Sequence, residues 1–234
     1  MTKPKVLISD KMDPNAARIF EERGCDVDVK PGMTPDELKA VIGQYDGLAI
    51  RSATKVTPEI LDAAENLKVI GRAGIGVDNV DIARATELGI VVTNVPDYCM
   101  DEVTDHALGM ILALNRRLVP HNRAVVSGGW GDVVLNQPMH RTRGATLGIV
   151  GFGRIGRAVA DRARAFGLQV LVADPFVTAE AAQDAGAVKM ELPELLAESD
   201  FVTLHSPLIP QTQGLMGSDE FAQMRPDAFL INAA

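Results

Sequence analysis

Nine short apolar runs rich in β-branched residues recur along this 234-residue chain, separated by turns and stretches with helical spacing. That alternation dictates parallel α/β structure, because parallel neighbours need a crossover and the crossover is usually a helix. Val6-Leu7-Ile8-Ser9-Asp10, Val27-Asp28-Val29, Leu48-Ala49-Ile50-Arg51, Lys68-Val69-Ile70 and Ile90-Val91-Val92-Thr93 form a first series of strand candidates. Leu147-Gly148-Ile149-Val150, Val170-Leu171-Val172-Ala173, Phe201-Val202-Thr203-Leu204 and Phe229-Leu230-Ile231 form a second. Thr34-Pro35-Asp36-Glu37 and Thr57-Pro58-Glu59-Ile60 each put a hydroxyl at the N-cap, proline at the first helical position and acid in the first turn, where free N–H groups and the helix dipole favour them.

Between the two series the pattern turns helical from Asp101 to about Val126, with Val103, Ala107, Met110, Ile111, Leu114 and Leu118 three or four residues apart. Pro120 should break or kink this helix. Ser127 to Gly144 reads as a loop on its glycine and polar content. Two α/β domains follow, residues 1–100 and residues 101–234, the second starting with the long helix.

Composition sets the outer limits. With 47% hydrophobic and 23% charged residues, the chain has the profile of a soluble globular protein that can bury a core without disulfides or a structural metal. A net charge of −8 opposes nucleic-acid or anionic-membrane binding, which begins with a basic field. No apolar run is long enough to span a bilayer. Cys25 and Cys99 form neither a disulfide framework nor a metal-ligand spacing, so no metal is expected and a reducing, cytoplasmic setting fits.

Gly151-Phe152-Gly153-Arg154-Ile155-Gly156 is a G-x-G-x-x-G sequence, and its context gives it weight. It follows the strand candidate ending at Val150 and opens a helix whose apolar face is Ile155, Val159, Ala160, Ala163 and Phe166. The next strand leads to Asp174, where a carboxylate can accept from the ribose hydroxyls of a dinucleotide. The first glycine permits the turn, the second lets backbone approach a pyrophosphate, and the third allows close helix–strand packing. A purely structural glycine turn is the plainer alternative. NAD is favoured over NADP, because Asp174 would repel a 2′-phosphate and Pro175-Phe176 offers no arginine in its place.

Lys5-Val6-Leu7-Ile8-Ser9-Asp10, Arg51-Ser52-Ala53-Thr54-Lys55-Val56, Gly71-Arg72-Ala73-Gly74-Ile75-Gly76-Val77-Asp78-Asn79-Val80 and the Gly151–Asp174 fingerprint together closely resemble the D-isomer-specific 2-hydroxyacid dehydrogenases. The first three resemble the phosphoglycerate branch of that family most. The resemblance covers the whole chain. It implies a flavodoxin-like substrate domain followed by a Rossmann domain, and NAD-dependent hydride transfer at C2 of a D-2-hydroxy acid, with 3-phosphoglycerate one candidate. It further implies that Arg51, Ser52, Ile75 and Gly76 bind substrate, the last two through backbone N–H groups. Gly151, Gly153, Arg154, Ile155, Gly156, Asp174, Ser206, Pro207 and Ala233 would line the cofactor. The Asp101–Val126 helix resembles the segment through which these enzymes dimerise; a domain-linking core helix is its plainer alternative.

Two departures from the family pattern stand out. The family's catalytic arginine follows directly on an Asn-Ala-Ala type strand end, here Asn232-Ala233-Ala234, so the arginine and the later glutamate and histidine are expected beyond Ala234. The Rossmann domain is then expected to be incomplete at its C-terminus, and the chain inactive alone. On this ground a non-catalytic NAD(H)-binding regulatory or corepressor-like protein stays open as an alternative. Second, Asn94-Val95-Pro96-Asp97-Tyr98-Cys99-Met100-Asp101-Glu102-Val103 puts a thiol and the acids Asp97, Asp101 and Glu102 where the phosphoglycerate branch has a Gly-Asn-Ser type turn, a poor match to a phosphate. Among the histidines, only His205 falls near the cofactor crevice, and a pocket role there is favoured over a catalytic one. His106 reads as a helix-start or interface residue, His121 and His140 as solvated.

Overall fold

The computed structural model describes residues 3–129, 139 and 141–234, and the chain divides into two compact units, Met1–Tyr98 and Cys99–Ala234. The first unit runs β1 (Lys5–Ile8), α1 (Asn15–Glu22), β2 (Asp26–Val29), α2 (Pro35–Val41), β3 (Gly47–Ile50), α3 (Pro58–Asp62), β4 (Val69–Arg72), α4 (Ile82–Glu87) and β5 (Val91–Asn94). Its sheet is wholly parallel, in the order β2-β1-β3-β4-β5, which is the flavodoxin-like order. Leu7, Leu48, Ile50 and Ile70 are buried against Leu38, Ile42, Ile60, Leu61 and Ala85 from the helical side. Thr34 closes a full capping box with Glu37. Thr57 sits at the N-cap of α3, but its side chain accepts no backbone N–H there; Pro58 and Glu59 carry that start.

The second unit runs α5 (Met100–Asn115), α6 (Leu118–Val126), β6 (Thr146–Val150), α7 (Arg154–Ala165), β7 (Gln169–Ala173), α8 (Ala179–Asp184), β8 (Val188–Lys189), α9 (Leu192–Glu198), β9 (Phe201–Leu204), α10 (Ser218–Gln223) and β10 (Phe229–Asn232). Its order, β10-β9-β6-β7-β8, is again all parallel. Counted within the unit, it reproduces the first five strands of the Rossmann order, with the chain reversing direction across the sheet between β6 and β9. Leu147, Ile149, Val170, Val172 and Phe201 bury one face of the sheet against Val159, Ala160 and Ala163 of α7 and Ala107 and Ile111 of α5. Phe201 and Phe229 stack at 5.8 Å between ring centroids. The opposite face packs on Leu195 and Leu196 of α9.

Several expectations need correction. The Asp101–Val126 helix is two helices, and the break lies at Arg116-Arg117, where Arg117 takes a left-handed conformation at φ 52. Pro120 lies inside the first turn of α6, where its missing N–H costs nothing. Leu114 and Leu118 are exposed, although Ala107 and Ile111 on the same stripe are buried. Phe166 caps α7 and is exposed, so the buried face of that helix ends at Ala163. Ser9 and Asp10 lie beyond the end of β1, and Arg51 beyond β3. β8 has two residues, too short for a periodicity to register. The loop expected from Ser127 to Gly144, and His140 within it, lie largely outside the described residues.

Candidate functional site

In each unit the chemistry-bearing residues collect at the carboxyl edge of the sheet, where strand ends release backbone and side chains. In the second unit β6 ends at Val150 and Gly151 turns the chain at φ +91. A Cβ built on Gly151 would lie 2.7 Å from the Ser206 nitrogen and 2.8 Å from the His205 carbonyl carbon, so only glycine admits both the turn and the close pass of the segment following β9. Gly156 is pressed against the same turn: a Cβ there would stand 2.2 Å from the Gly151 carbonyl oxygen. Gly153 is the opposite case, with nothing within 4 Å of its would-be Cβ. It is exposed and forms the N-cap of α7. Two glycines thus hold the turn shut and the third leaves open space at a helix start, which is the cradle a pyrophosphate needs. Arg154 is exposed on the first turn, and Ile155 is half-buried against the core.

Asp174 follows β7 and does two jobs at once. Its Oδ2 accepts from the Phe152 N–H at 2.7 Å and its Oδ1 from the Phe176 N–H at 2.8 Å. The first bond ties the acid to the residue between the first two glycines. Each carboxylate oxygen keeps a further lone pair for a ribose hydroxyl. The Phe176 side chain beside it is 91% exposed.

On the other side of β6, the end of β9 presents His205, Ser206 and Pro207. The His205 N–H donates to the Val150 carbonyl at 2.8 Å, extending the sheet ladder by one residue. Its Nε2 lies 3.0 Å from Thr203 Oγ1, while Nδ1 is buried with no partner among the described residues. Burial lowers the pKa of this imidazole to about 4, so it is neutral at ordinary pH. Ala233, just past β10, packs against the same core as α7. These groups fit a dinucleotide: an open glycine, an acid placed for ribose, and a buried polar atom without a partner all lie along one sheet edge.

In the first unit, Arg51 and Ser52 are exposed just beyond β3. What positions them is Asp10, which the sequence reading gave no role. Asp10 is buried two residues past β1 and accepts from the backbone N–H groups of Arg51 at 2.6 Å, Ala53 at 3.2 Å and Thr54 at 3.0 Å, and from the Thr54 hydroxyl at 2.5 Å. Asn79 clamps the same loop from below, donating to the Arg51 carbonyl at 2.8 Å and the Thr54 carbonyl at 2.7 Å. Asn94 holds the neighbouring loop by donating to the Ile75 carbonyl at 2.6 Å. The N–H groups of Ile75 and Gly76 have no acceptor among the described residues. The Arg72 guanidinium lies directly over Gly74, where a Cβ would collide with it. One cation and two free N–H groups therefore border this loop, an arrangement suited to a carboxylate. The signal for Asp10 was its place at the end of a strand beside the point where strand order reverses.

The other candidates fall away from these edges. His106 is exposed on α5, and His121 on α6 is half-buried, not fully solvated as expected. Cys25 and Cys99 are half-buried free thiols. Among the described residues no group of acids, histidines and cysteines could hold a metal ion.

Residues 108–234 match the family model described as D-isomer specific 2-hydroxyacid dehydrogenase, NAD binding domain. Over 231 residues, 98% of its length, the chain is 39% identical to a D-3-phosphoglycerate dehydrogenase of Methanocaldococcus jannaschii, covering 44% of that protein. It thus spans less than half the length of this curated relative. Among solved structures, a D-lactate dehydrogenase from Aquifex aeolicus complexed with NAD and lactic acid has a TM-score of 0.87 at 26% identity, over 97% of this chain and 68% of the other. A glyoxylate reductase from Paecilomyes thermophila has a TM-score of 0.86 at 30% identity, over 99% and 74%.

Proposed function

The chain belongs to the D-isomer-specific 2-hydroxyacid dehydrogenase family, and from that premise we propose that it is the cofactor-binding and part of the substrate-binding portion of an NAD-dependent oxidoreductase acting on the CH–OH group of a D-2-hydroxy acid. The observation that carries this reading is the glycine turn: Gly151 and Gly156 are closed by backbone at under 3 Å, while Gly153 stands open beside Asp174. NAD, when bound, accepts hydride from C2, or as NADH returns it to a 2-oxo acid. The residues of this chain supply binding and orientation. Gly153 admits the pyrophosphate to the start of α7, with Arg154 and Ile155 beside it. Asp174 accepts from the adenosine ribose and rejects a 2′-phosphate by charge. Ser206, Pro207 and Ala233 line the other end of the crevice.

The substrate carboxylate is held by the N–H groups of Ile75 and Gly76, with Arg51 and Ser52 beside them on a loop that Asp10 and Asn79 keep in place. The relatives bearing the names phosphoglycerate dehydrogenase, lactate dehydrogenase and glyoxylate reductase support small 2-hydroxy or 2-oxo acids as the substrate class, with 3-phosphoglycerate among the candidates. Cys99 in place of a phosphate-binding asparagine counts against that one. The partner expected at the protein level is a second copy, through Asp101–Val126; the exposed Leu114, Leu118, Val119, Val125 and Val126 support it. No helix among the described residues is long and apolar enough to cross a membrane, and a cytoplasmic site of action fits the two free thiols.

The test has two stages. NADH fluorescence should report saturable binding to this chain, with NADPH much weaker. The polypeptide encoded by the complete reading frame should then oxidise NADH with a panel containing 3-phosphohydroxypyruvate, pyruvate and glyoxylate. Absence of NADH binding by the chain overturns the cofactor assignment. Binding without turnover of any 2-oxo acid overturns the enzymatic one.

A further inference from the structure

Two consecutive carbonyls of the loop after β4 face the same way, toward the end of β5. The Gly74 carbonyl accepts from the Val95 N–H at 3.0 Å, and the Ile75 carbonyl accepts from Asn94 Nδ2 at 2.6 Å. A planar trans peptide sets its N–H opposite its C=O. Fixing the carbonyls of Gly74 and Ile75 toward β5 therefore turns the N–H groups of Ile75 and Gly76 together to the other side, a concave pair of donors suited to one anion. The N–H groups before them are already engaged: Ala73 donates to the Ile50 carbonyl at 2.8 Å and Gly74 to the Arg72 carbonyl at 2.9 Å.

The two pins differ in kind. Val95 holds Gly74 through backbone, whereas Asn94 holds Ile75 through a side chain alone. The peptide that Asn94 holds ends in Gly76, a residue type free to take φ of either sign. Without that bond the 75–76 peptide can rotate by about half a turn, as the central peptide of a turn does between types I and II, and carry the Gly76 N–H away from its neighbour. Net charge offers little substitute. The Arg72 guanidinium lies over Gly74, but the Asp78 carboxylate stands 2.8 Å from where a Gly76 Cβ would be, so aimed donors matter here more than the local field. Resting on the reading of this loop as the substrate-carboxylate site, we propose that Asn94 is a positioning residue for the 2-hydroxy or 2-oxo acid. Its side-chain amide fixes the 75–76 peptide so that the Gly76 N–H joins that of Ile75 on one carboxylate. Asn94 acts through the Ile75 carbonyl, and it is exposed, so its replacement leaves the core intact.

Two substitutions separate this role from a structural one. Asn94→Ala removes the donor. Asn94→Asp keeps the shape but sets an acceptor against the carbonyl, so a packing role predicts parent behaviour for it and the positioning role predicts alanine behaviour. In the polypeptide encoded by the complete reading frame, at fixed high salt to screen the added charge, both variants should raise KM for the 2-oxo acid about tenfold. Their kcat and NADH Kd should stay within about threefold of the parent. The 234-residue chain, labelled with nitrogen-15 glycine and isoleucine, gives a second readout that needs no turnover. Millimolar oxamate, an unreactive 2-oxo acid analogue, should shift the Ile75 and Gly76 amide resonances in the parent and only that of Ile75 in the variants. The proposal is overturned if Asn94→Asp matches the parent, if kcat or NADH affinity falls alongside, or if Gly76 still follows oxamate in both variants. A parent chain in which neither amide responds overturns the carboxylate site itself, and the proposal with it. Absence of turnover with any 2-oxo acid overturns the enzymatic reading instead, and the amide resonances then decide the role of Asn94.

Discussion

Replacing Asp174 with alanine removes two hydrogen bonds of unequal value. Phe176 is 91% exposed, and water takes over its N–H at little cost. Phe152 is 1% exposed and sits inside the glycine turn, so its N–H, now 2.7 Å from Asp174 Oδ2, loses its acceptor where water enters poorly. An unsatisfied buried donor costs about 1–3 kcal/mol, so Asp174→Ala should lower stability by about 2 kcal/mol. For a unit of this size that corresponds to roughly 8 °C in melting temperature. Dinucleotide binding loses the ribose acceptor as well, a hydrogen bond to a charged group worth about 1.5–3 kcal/mol, or roughly 10–150-fold in Kd. Both effects can be read in one experiment, thermal unfolding by circular dichroism with and without saturating NADH, alongside a fluorescence titration. Asp174→Asn keeps one acceptor oxygen but turns an NH2 toward the second N–H, and should fall between alanine and the parent in both readings. A melting temperature within about 2 °C of the parent would refute the tie between acid and turn. An unchanged NADH affinity would refute the ribose role.

Other substitutions test the rest of the arrangement. Gly156→Ala forces a methyl to 2.2 Å from the Gly151 carbonyl oxygen and should lower both the urea midpoint and NADH affinity. Gly153→Ala meets open space and should cost at most about 1 kcal/mol as an N-cap change, yet weaken NADH binding more than tenfold; a Gly153→Ala affinity equal to the parent's, or an equal loss of stability in the two variants, would contradict the assigned glycine roles. Asp10→Ala strands three backbone N–H groups and should destabilise the chain by about 3 kcal/mol or more, measured as a shift in urea midpoint, with no shift sinking the loop-anchor role. Because burial holds His205 at about 4 against an ordinary 6.5, the unfolded chain binds a proton that the folded chain refuses between those values. His205 thus costs no stability above pH 6.5, and stability falls as pH drops from 6.5 toward 4, by about 3 kcal/mol in all. Urea unfolding at stepped pH should show that slope reduced in His205→Gln; identical slopes would mean the imidazole titrates normally.

The sequence carried a good deal of this by itself. Strand and helix existence follows from short-range periodicity, so every one of the nine strand runs appears within two or three residues of its expected bounds. The glycine fingerprint and Asp174 were legible because their partners lie in one continuous strand–turn–helix–strand segment. Helix ends were less so: a proline at 120 looks like a breaker until the break is seen at Arg117, which puts that proline in a first turn.

What only the tertiary structure decided is which distant segments lie side by side. Nothing near Gly151 in sequence says that β9 will be its neighbour, yet that pairing brings Ser206 and His205 against the turn. Nothing near Asp10 says that it will gather the N–H groups of residues 51, 53 and 54. The physical reason is the same in both cases. Local propensity and hydrophobic period fix what each segment becomes, but strand order is chosen by the burial of whole faces across the sheet, and hydrogen bonds between segments forty or more residues apart exist only after that choice is made.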